Sequence, residues 1–261
     1  MRRKEQNKNM VEFFIAFRHI VERKFQSIFS ILGVAIAVTV FIVSMTISNG
    51  LNKNMINSLL TMSPHILIKN KKTTFFENFG ETVENIKKIK GVKAVIPQMN
   101  SQSILKNEGL AKGVLADGIS PENVKNELNL RIVKGNNNIS ELNSVLIGEQ
   151  LANEMDLKVG KEISIVSAEN KEIKLIVRGI FKTGFLDYDS NLVIVPLETM
   201  QILSDQGKVA TEIGIKIEHP ERVDEVLNQV RNAVDPKEYG VISWKTINQG
   251  LVLAVICGMV A

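Results

Sequence analysis

Residues 25–52 read FQSIFSILGVAIAVTVFIVSMTISNGLN, with no charged side chain between Lys24 and Lys53. A helix needs about 20 apolar residues to cross the ~30 Å hydrocarbon core of a bilayer. The β-branched residues Ile28, Val34, Thr39, Val40, Ile42 and Val43 do not argue against a helix here. In lipid the backbone must satisfy its own hydrogen bonds, which an isolated strand cannot do. A signal peptide has an apolar core of only about 7–15 residues, ending at a small-residue cleavage site. Ala35-Ile36-Ala37 has the look of such a site, but the apolar run continues past it through Val43. We read a retained transmembrane helix at residues 28–52.

The charge distribution orients that helix. Arg2, Arg3, Lys4, Lys8, Arg18, Arg23 and Lys24 precede it against Glu5, Glu12 and Glu22. Positive charge beside a first span marks the cytoplasmic side, so everything after Asn52 is expected outside. A net charge of +4 over 261 residues, with no basic stripe, speaks against nucleic acid as a partner. The single cysteine, Cys257, excludes an intrachain disulfide.

Working outward, residues 9–26 place Val11, Phe14, Ile15, Phe17 and Val21 near one another at helical spacing, which predicts an interfacial helix on the cytoplasmic side. After the span, Leu51, Met55, Ile56, Leu59 and Met62 keep helical spacing. The helix is therefore expected to continue above the membrane and stop at Ser63-Pro64. Short strands and helices then alternate. The expected strands are 65–69, 92–96, 103–106 and 110–115, then 144–147, 161–166 and 173–181, and finally 192–195, 211–217 and 241–242. The expected helices are 76–89, a weak one from Pro121, 148–155, 196–203 and 220–234. Asn107-Glu108-Gly109 and Asp117-Gly118 read as turns, residues 211–217 as a strand of alternating polarity, and Gly135-Asn136-Asn137-Asn138 as a hinge between two subdomains. Residues 250–261, GLVLAVICGMVA, are too short to span a bilayer. They read as a buried core helix or as the cut start of a second span, and the polar residues Ser243, Thr246 and Asn248 before them favour the span. The expected division is thus a cytoplasmic amphipathic segment (1–27), the transmembrane helix (28–52), a mixed α/β extracytoplasmic domain of two subdomains (53–244), and the beginning of a second transmembrane helix (245–261). The class is α+β.

Chemistry-bearing motifs are sparse. There is no phosphate-cradling G-x-x-x-x-G-K-[ST]. Ser167, Ser190 and Ser204 lack a nucleophile-elbow setting, and the three histidines, His19, His65 and His219, are not placed to serve one. We expect no catalytic residues, no cofactor and no metal. Residues 187–198, DYDSNLVIVPLE, match the acid spacing of a calcium-binding EF-hand loop, but Leu192 stands where that loop needs glycine. The bland reading is a polar turn entering a buried strand. Met45, Met55 and Met62 follow one face of the long helix. Methionine stripes can bind lipid-like ligands, though packing between helices is the commoner use.

Four stretches carry a family resemblance: Ser48-Asn49-Gly50-Leu51 through Met62-Ser63-Pro64; VLIGEQLANEM at 145–155 with Leu157-Lys158-Val159-Gly160-Lys161; Arg178-Gly179-Ile180-Phe181 to Asp187-Tyr188; and Trp244. Together they make the chain resemble lipoprotein-releasing ABC transporter permeases of the LolC/LolE type, within the FtsX and MacB-like permease group. The resemblance implies a MacB-like periplasmic core, four spans in all, and a bacterial inner-membrane location. It also implies the partners: an ATPase subunit docked on a cytoplasmic loop beyond this sequence, a second permease copy or paralogue, lipoprotein cargo and membrane lipid. Trp244 would stand where the family re-enters the membrane. Two departures stand out. The sequence stops at Ala261, before spans two to four. The hairpin with which LolC-type members capture a chaperone has only Ala168-Glu169-Asn170-Lys171 at its tip. A MacB-like exporter of peptides or small molecules, an FtsX-like regulator of a cell-wall hydrolase, and a single-pass sensor are the other readings. On the permease reading, Met45, Ser48, Leu51, Met55, Leu59 and Met62 are the candidate residues facing the acyl chains of a lipoprotein.

Overall fold

The structure, a computed structural model, describes Arg18 and residues 24–249. The side chains of Lys24, Ser48, Asn49, residues 51–59, Thr61 and Met62 are not described. Apart from Arg18 and residues 24–26, the expected interfacial helix lies outside the described residues, as does the apolar block at 250–261. Two compact units divide the chain after Asn52.

Helix α1 (Lys24–Met62) is unbroken over 39 residues. Within it, the 23 residues Phe25–Ile47 are long and apolar enough to cross a membrane, and most of their side chains are exposed. Its hydroxyls bond back to their own helix, Thr39 Oγ1 to the Ala35 carbonyl (2.7 Å) and Thr46 Oγ1 to the Ile42 carbonyl (2.8 Å). A hydroxyl satisfied this way can face lipid without an orphaned donor. The helix ends at Met62, before Ser63-Pro64 as the proline predicts.

The second unit opens with β1 (Ile66–Asn70), β2 (Phe76–Glu77), α2 (Gly80–Lys87), β3 (Val92–Asn107), β4 (Leu110–Ile119), α3 (Pro121–Asn126) and β5 (Arg131–Gly135). It continues with β6 (Ser144–Gly148), α4 (Glu149–Glu154), β7 (Glu162–Val166), β8 (Glu172–Lys182), α5 (Leu186–Asn191) and β9 (Leu192–Pro196). Then follow α6 (Leu197–Leu203), β10 (Val209–Ala210), β11 (Glu212–Ile217), α7 (Val223–Ala233), β12 (Tyr239–Ser243) and α8 (Trp244–Ile247). Among the described residues, one mixed sheet runs in the order β12-β1-β11-β3-β4-β9-β6-β8-β5, with β7 pairing β3 and β8, while β2 and β10 form a separate two-stranded pair. The mixed α/β reading holds.

Several local expectations change in the fold. The two strands expected at 92–96 and 103–106 are one strand, β3. Pro97, which misleads the eye, sits where β3 has β11 beside it but has not yet met β4. Phe76 is not helical but pairs with Ala210, and α2 starts only at Gly80. Glu108-Gly109 is the expected turn, with φ of 46° and 86°. Asp117-Gly118 is no turn at all: both lie inside β4, opposite Asn100 and Met99. Gly118 is there because a Cβ would stand 2.6 Å from Met200 Cγ where α6 crosses the strand. The expected hinge is pinned instead. Gly135 ends β5 against Gly179 of β8, Asn136 N–H donates to the Arg178 carbonyl (3.1 Å), and Ile139 is fully buried. β11 and β12, from the later part of the sequence, return to flank β1.

Three apolar clusters fill the unit. One packs Ile66, Ile68, Ile213, Ile215 and Val95 against Ile86 of α2 and Val223, Val226 and Val230 of α7. A second joins Leu105, Val114, Leu151, Ile165, Leu175 and Met200, and a third gathers around Phe181, Ile139 and Val124. The glycine of VLIGEQLA has a definite task. A Cβ on Gly148 would overlap the Asp189 carbonyl oxygen and stand 2.7 Å from its carbon, so only glycine lets α5 lie against the end of β6. Gly148→Ala is expected to destabilise the chain by about 2–4 kcal/mol. Thermal unfolding in detergent measures this, and an unchanged midpoint would contradict it.

Candidate functional site

Among the residues expected to face acyl chains, Met45 is partly buried on α1. Ser48, Leu51, Met55, Leu59 and Met62 fall within α1, but their side chains lie outside the described residues. What the structure adds is the place where α1 passes into the sheet. Pro64 rests on Gly214 of β11, where a Cβ would stand 2.5 Å from Pro64 Cγ. Ser63 Oγ and the Tyr188 hydroxyl are 2.6 Å apart. Burial raises the Tyr188 pKa, and its ring meets that of Phe185 edge-on at 5.2 Å between centroids.

Ser63, Pro64, Asp117, Tyr188, Glu212 and Trp244 are among the residues lining a cavity of about 240 Å³ here. Strand alternation makes its polar floor. β11 turns its isoleucines toward α2 and α7, so Glu212, Gly214 and Lys216 fall on the opposite face. Sequence alternation reads that face as exposed, but all six residues of β11 are buried. Glu212 is held by the Gln98 amide, by Asn100 Nδ2 (2.8 Å) and by Lys69 Nζ (3.1 Å). Lys216 donates to the Glu127 carbonyl (2.7 Å), and burial, with Lys93 nearby, pulls its pKa down to about 8.

Asp117 stands opposite Asn100 in the β3–β4 register. Asp117 Oδ1 and Asn100 Oδ1 are both shielded from solvent without a hydrogen-bond partner among the described residues. Burial, reinforced by the Glu212 charge, pushes the Asp117 carboxyl up to about 8. Both the burial and the neighbouring charge favour the protonated carboxyl over the carboxylate. None of these residues stands out in the sequence. Asp117-Gly118 imitates a turn, and Glu212, Gly214 and Lys216 alternating with isoleucines imitate a half-exposed strand.

The other candidates resolve as local structure. The Asp187–Glu198 stretch runs through α5 and β9 into the start of α6, with a short helix where a polar turn was expected and a buried strand after it. Asp187 and Glu198 are exposed, whereas Asp189 is buried and turned inward. There it accepts from Thr183 N–H (2.6 Å), Thr183 Oγ1 (2.9 Å) and Gly184 N–H (3.1 Å). Its role is to cap the loop entering α5. His219 is exposed beside Glu221 (3.2 Å), and His19 lies outside the described residues. Trp244 is buried. It packs into the core of the second unit and donates Nε1–H to the Pro220 carbonyl (3.2 Å). The β7–β8 hairpin closes tightly, with Ser167 N–H on the Lys171 carbonyl (2.9 Å) and Asn170 N–H on the Ser167 carbonyl (3.0 Å).

Comparison with known proteins places this geometry. Residues 27–233 match the profile of the MacB-like periplasmic core domain. The lipoprotein-releasing system transmembrane protein LolC of Neisseria meningitidis is 25% identical over 232 residues, 81% of this chain and 55% of that protein. LolC of Buchnera aphidicola from Schizaphis graminum is 31% identical over 173 residues, 65% of this chain and 40% of that protein. The chain spans about half the length of the curated relatives it matches. Among solved structures, the extracellular domain of the noncanonic ABC-type transporter YknZ from Gram-positive bacteria superposes with a TM-score of 0.50 at 14% identity. The match covers 68% of this chain and 99% of that domain, a likeness of fold.

Proposed function

The chain belongs to the MacB-like periplasmic core domain family, and from that premise we propose that it is a membrane permease subunit of a lipoprotein-releasing ABC transporter of the LolC/LolE type. The observation that carries the lipoprotein reading is the likeness to LolC over most of the chain. On this reading residues 28–52 cross the bacterial inner membrane and residues 53–244 stand outside the cytoplasm. ATP is hydrolysed on a separate subunit, which drives α1 and the fold it enters. A second permease copy or paralogue completes the translocation path. The chain's own contribution is mechanical: a helix with a charge-free membrane stretch, which continues past that stretch to Met62 and leads into Pro64 on the sheet. A lipid anchor drawn from the outer leaflet would meet that helix where it leaves the bilayer.

The test is reconstitution. The permease, its ATPase and its partner permease, in liposomes loaded with a triacylated lipoprotein, are expected to release it on addition of ATP. Export of peptides with no lipoprotein release would instead identify a MacB-like exporter. Orientation is checked separately. With Cys257 replaced, a cysteine at Asn170 should react in whole cells with a membrane-impermeant thiol reagent, and one at Lys24 should not. Labelling at 24 but not at 170 would reverse the topology.

A further inference from the structure

One residue ties together the end of α1, β11 and the start of α8. His65, 6% exposed, follows Pro64 and precedes β1. Its backbone N–H donates to the Ile215 carbonyl (2.8 Å), and its carbonyl accepts from Trp244 N–H (2.9 Å). The ring makes two further bonds. Nδ1 lies 3.0 Å from Ile217 N, and Nε2 lies 3.2 Å from the Leu60 carbonyl oxygen. A backbone N–H can only donate and a carbonyl can only accept, so Nδ1 is bare and Nε2 carries the proton. Leu60 O is one of the last four carbonyls of α1, which no residue of the helix itself can satisfy. Burial, with Lys216 and Lys93 adding to it, lowers the His65 pKa and keeps the ring in this neutral form. The imidazole therefore closes the end of α1 onto β11, while the backbone of the same residue holds the start of α8.

We infer that His65 is a positioning residue that fastens the end of α1 and the returning chain at Trp244 to β11, so that all three move as one body. The inference rests on the permease reading, in which motion of α1 must reach the outer fold. Without the ring bonds, the helix end keeps the Ser63 and Pro64 contacts and the packing of Leu60 on the apolar cluster, but loses its hydrogen-bonded tie to the edge of β11, and rotation there dissipates the displacement. His65→Leu keeps an apolar side chain of similar bulk and loses both ring bonds. His65→Asn is smaller but retains an acceptor and a donor.

Three measurements test this. In the full chain in detergent, nitrogen NMR of labelled histidine is expected to show His65 protonated at Nε2 and bare at Nδ1. The opposite tautomer overturns the inference, and this readout needs no variant. Hydrogen exchange at Ile217, Trp244 and residues 60–63 is expected to be about tenfold faster in His65→Leu and near wild type in His65→Asn. The reverse order of the two variants would mean that the ring only fills space. In the reconstituted transporter, His65→Leu is expected to lose about tenfold in lipoprotein released per ATP hydrolysed, with hydrolysis itself retained and Asn restoring release. Unchanged release per ATP sinks the inference. If the wild-type assembly releases no lipoprotein, the permease reading falls, and the tautomer and exchange results still decide the fastening.

Discussion

Asp117→Asn is expected to stabilise the folded chain near pH 8 and to leave its stability unchanged below pH 3.8. Asp117 is an acid whose pKa rises from 3.8 to about 8 on folding, so the folded state keeps a proton that the unfolded chain gives up. The stability tied to that proton is fully present below pH 3.8. It is lost as pH climbs toward about 8, because the unfolded chain ionises first and gains solvation the folded chain cannot match. Asparagine never ionises, and its amide can donate to Asn100 Oδ1, the opposed and otherwise unpartnered oxygen. The gain over wild type at the upper end of the window is expected to be on the order of 3–5 kcal/mol. Chemical denaturation of both proteins in detergent at several pH values measures it. A wild type that gains on the variant as pH rises would show that Asp117 is ionised and paired in the fold, and a difference independent of pH would show that folding does not shift its pKa; either result overturns the expectation.

Met55→Asp is expected to abolish most lipoprotein release while leaving the outer fold intact. Met45, Ser48, Leu51, Met55, Leu59 and Met62 recur at three- and four-residue intervals along α1, which keeps them near one face of the helix. We propose that acyl chains of a bound lipoprotein lie along that face as they leave the bilayer. Passing from lipid to protein gains an acyl chain little energy, since both surroundings are apolar, so the site should be loose and tolerant of methionine. A carboxylate against acyl chains costs about 2–3 kcal/mol, enough to weaken cargo binding by about 30–100-fold. Asn54→Asp, one residue round the helix, should change release little. Photo-crosslinkers placed along α1 in the assembled transporter should reach lipoprotein from Met55 and Leu59, and not from Asn54 or Asn57. Crosslinking from every side, or from none, removes the proposal.

Both expectations show where sequence reading reaches and where it stops. The long helix was legible because a charge-free run of this length has few physical outcomes, and Ser63-Pro64 marks its end through local sterics alone. The α4 and α6 helices, the β7–β8 hairpin and the Glu108-Gly109 turn were legible for the same reason: each rests on contacts within a few residues. Asp117, Glu212 and His65 were not legible. Asp117 owes its raised pKa first to burial under the assembled sheet and then to Glu212, far along the chain, and His65 owes its tautomer to Leu60 on one side and Ile217 on the other.

By itself, then, the sequence determined the apolar span, the alternation of short strands and helices after it, and a family likeness borne by VLIGEQLA and the glycines around it. Tertiary structure alone decided that β11 and β12 close back around β1, and that a strand carrying Glu212 and Lys216 on one face is buried on both. It also decided that one histidine joins the beginning of the outer fold to its end. The physical reason is range. Helix periodicity, turns and proline sterics act over a few bonds and are written locally. Strand order, burial and the protonation of a buried group depend on which distant segment becomes the neighbour, and that is set only when the sheet assembles.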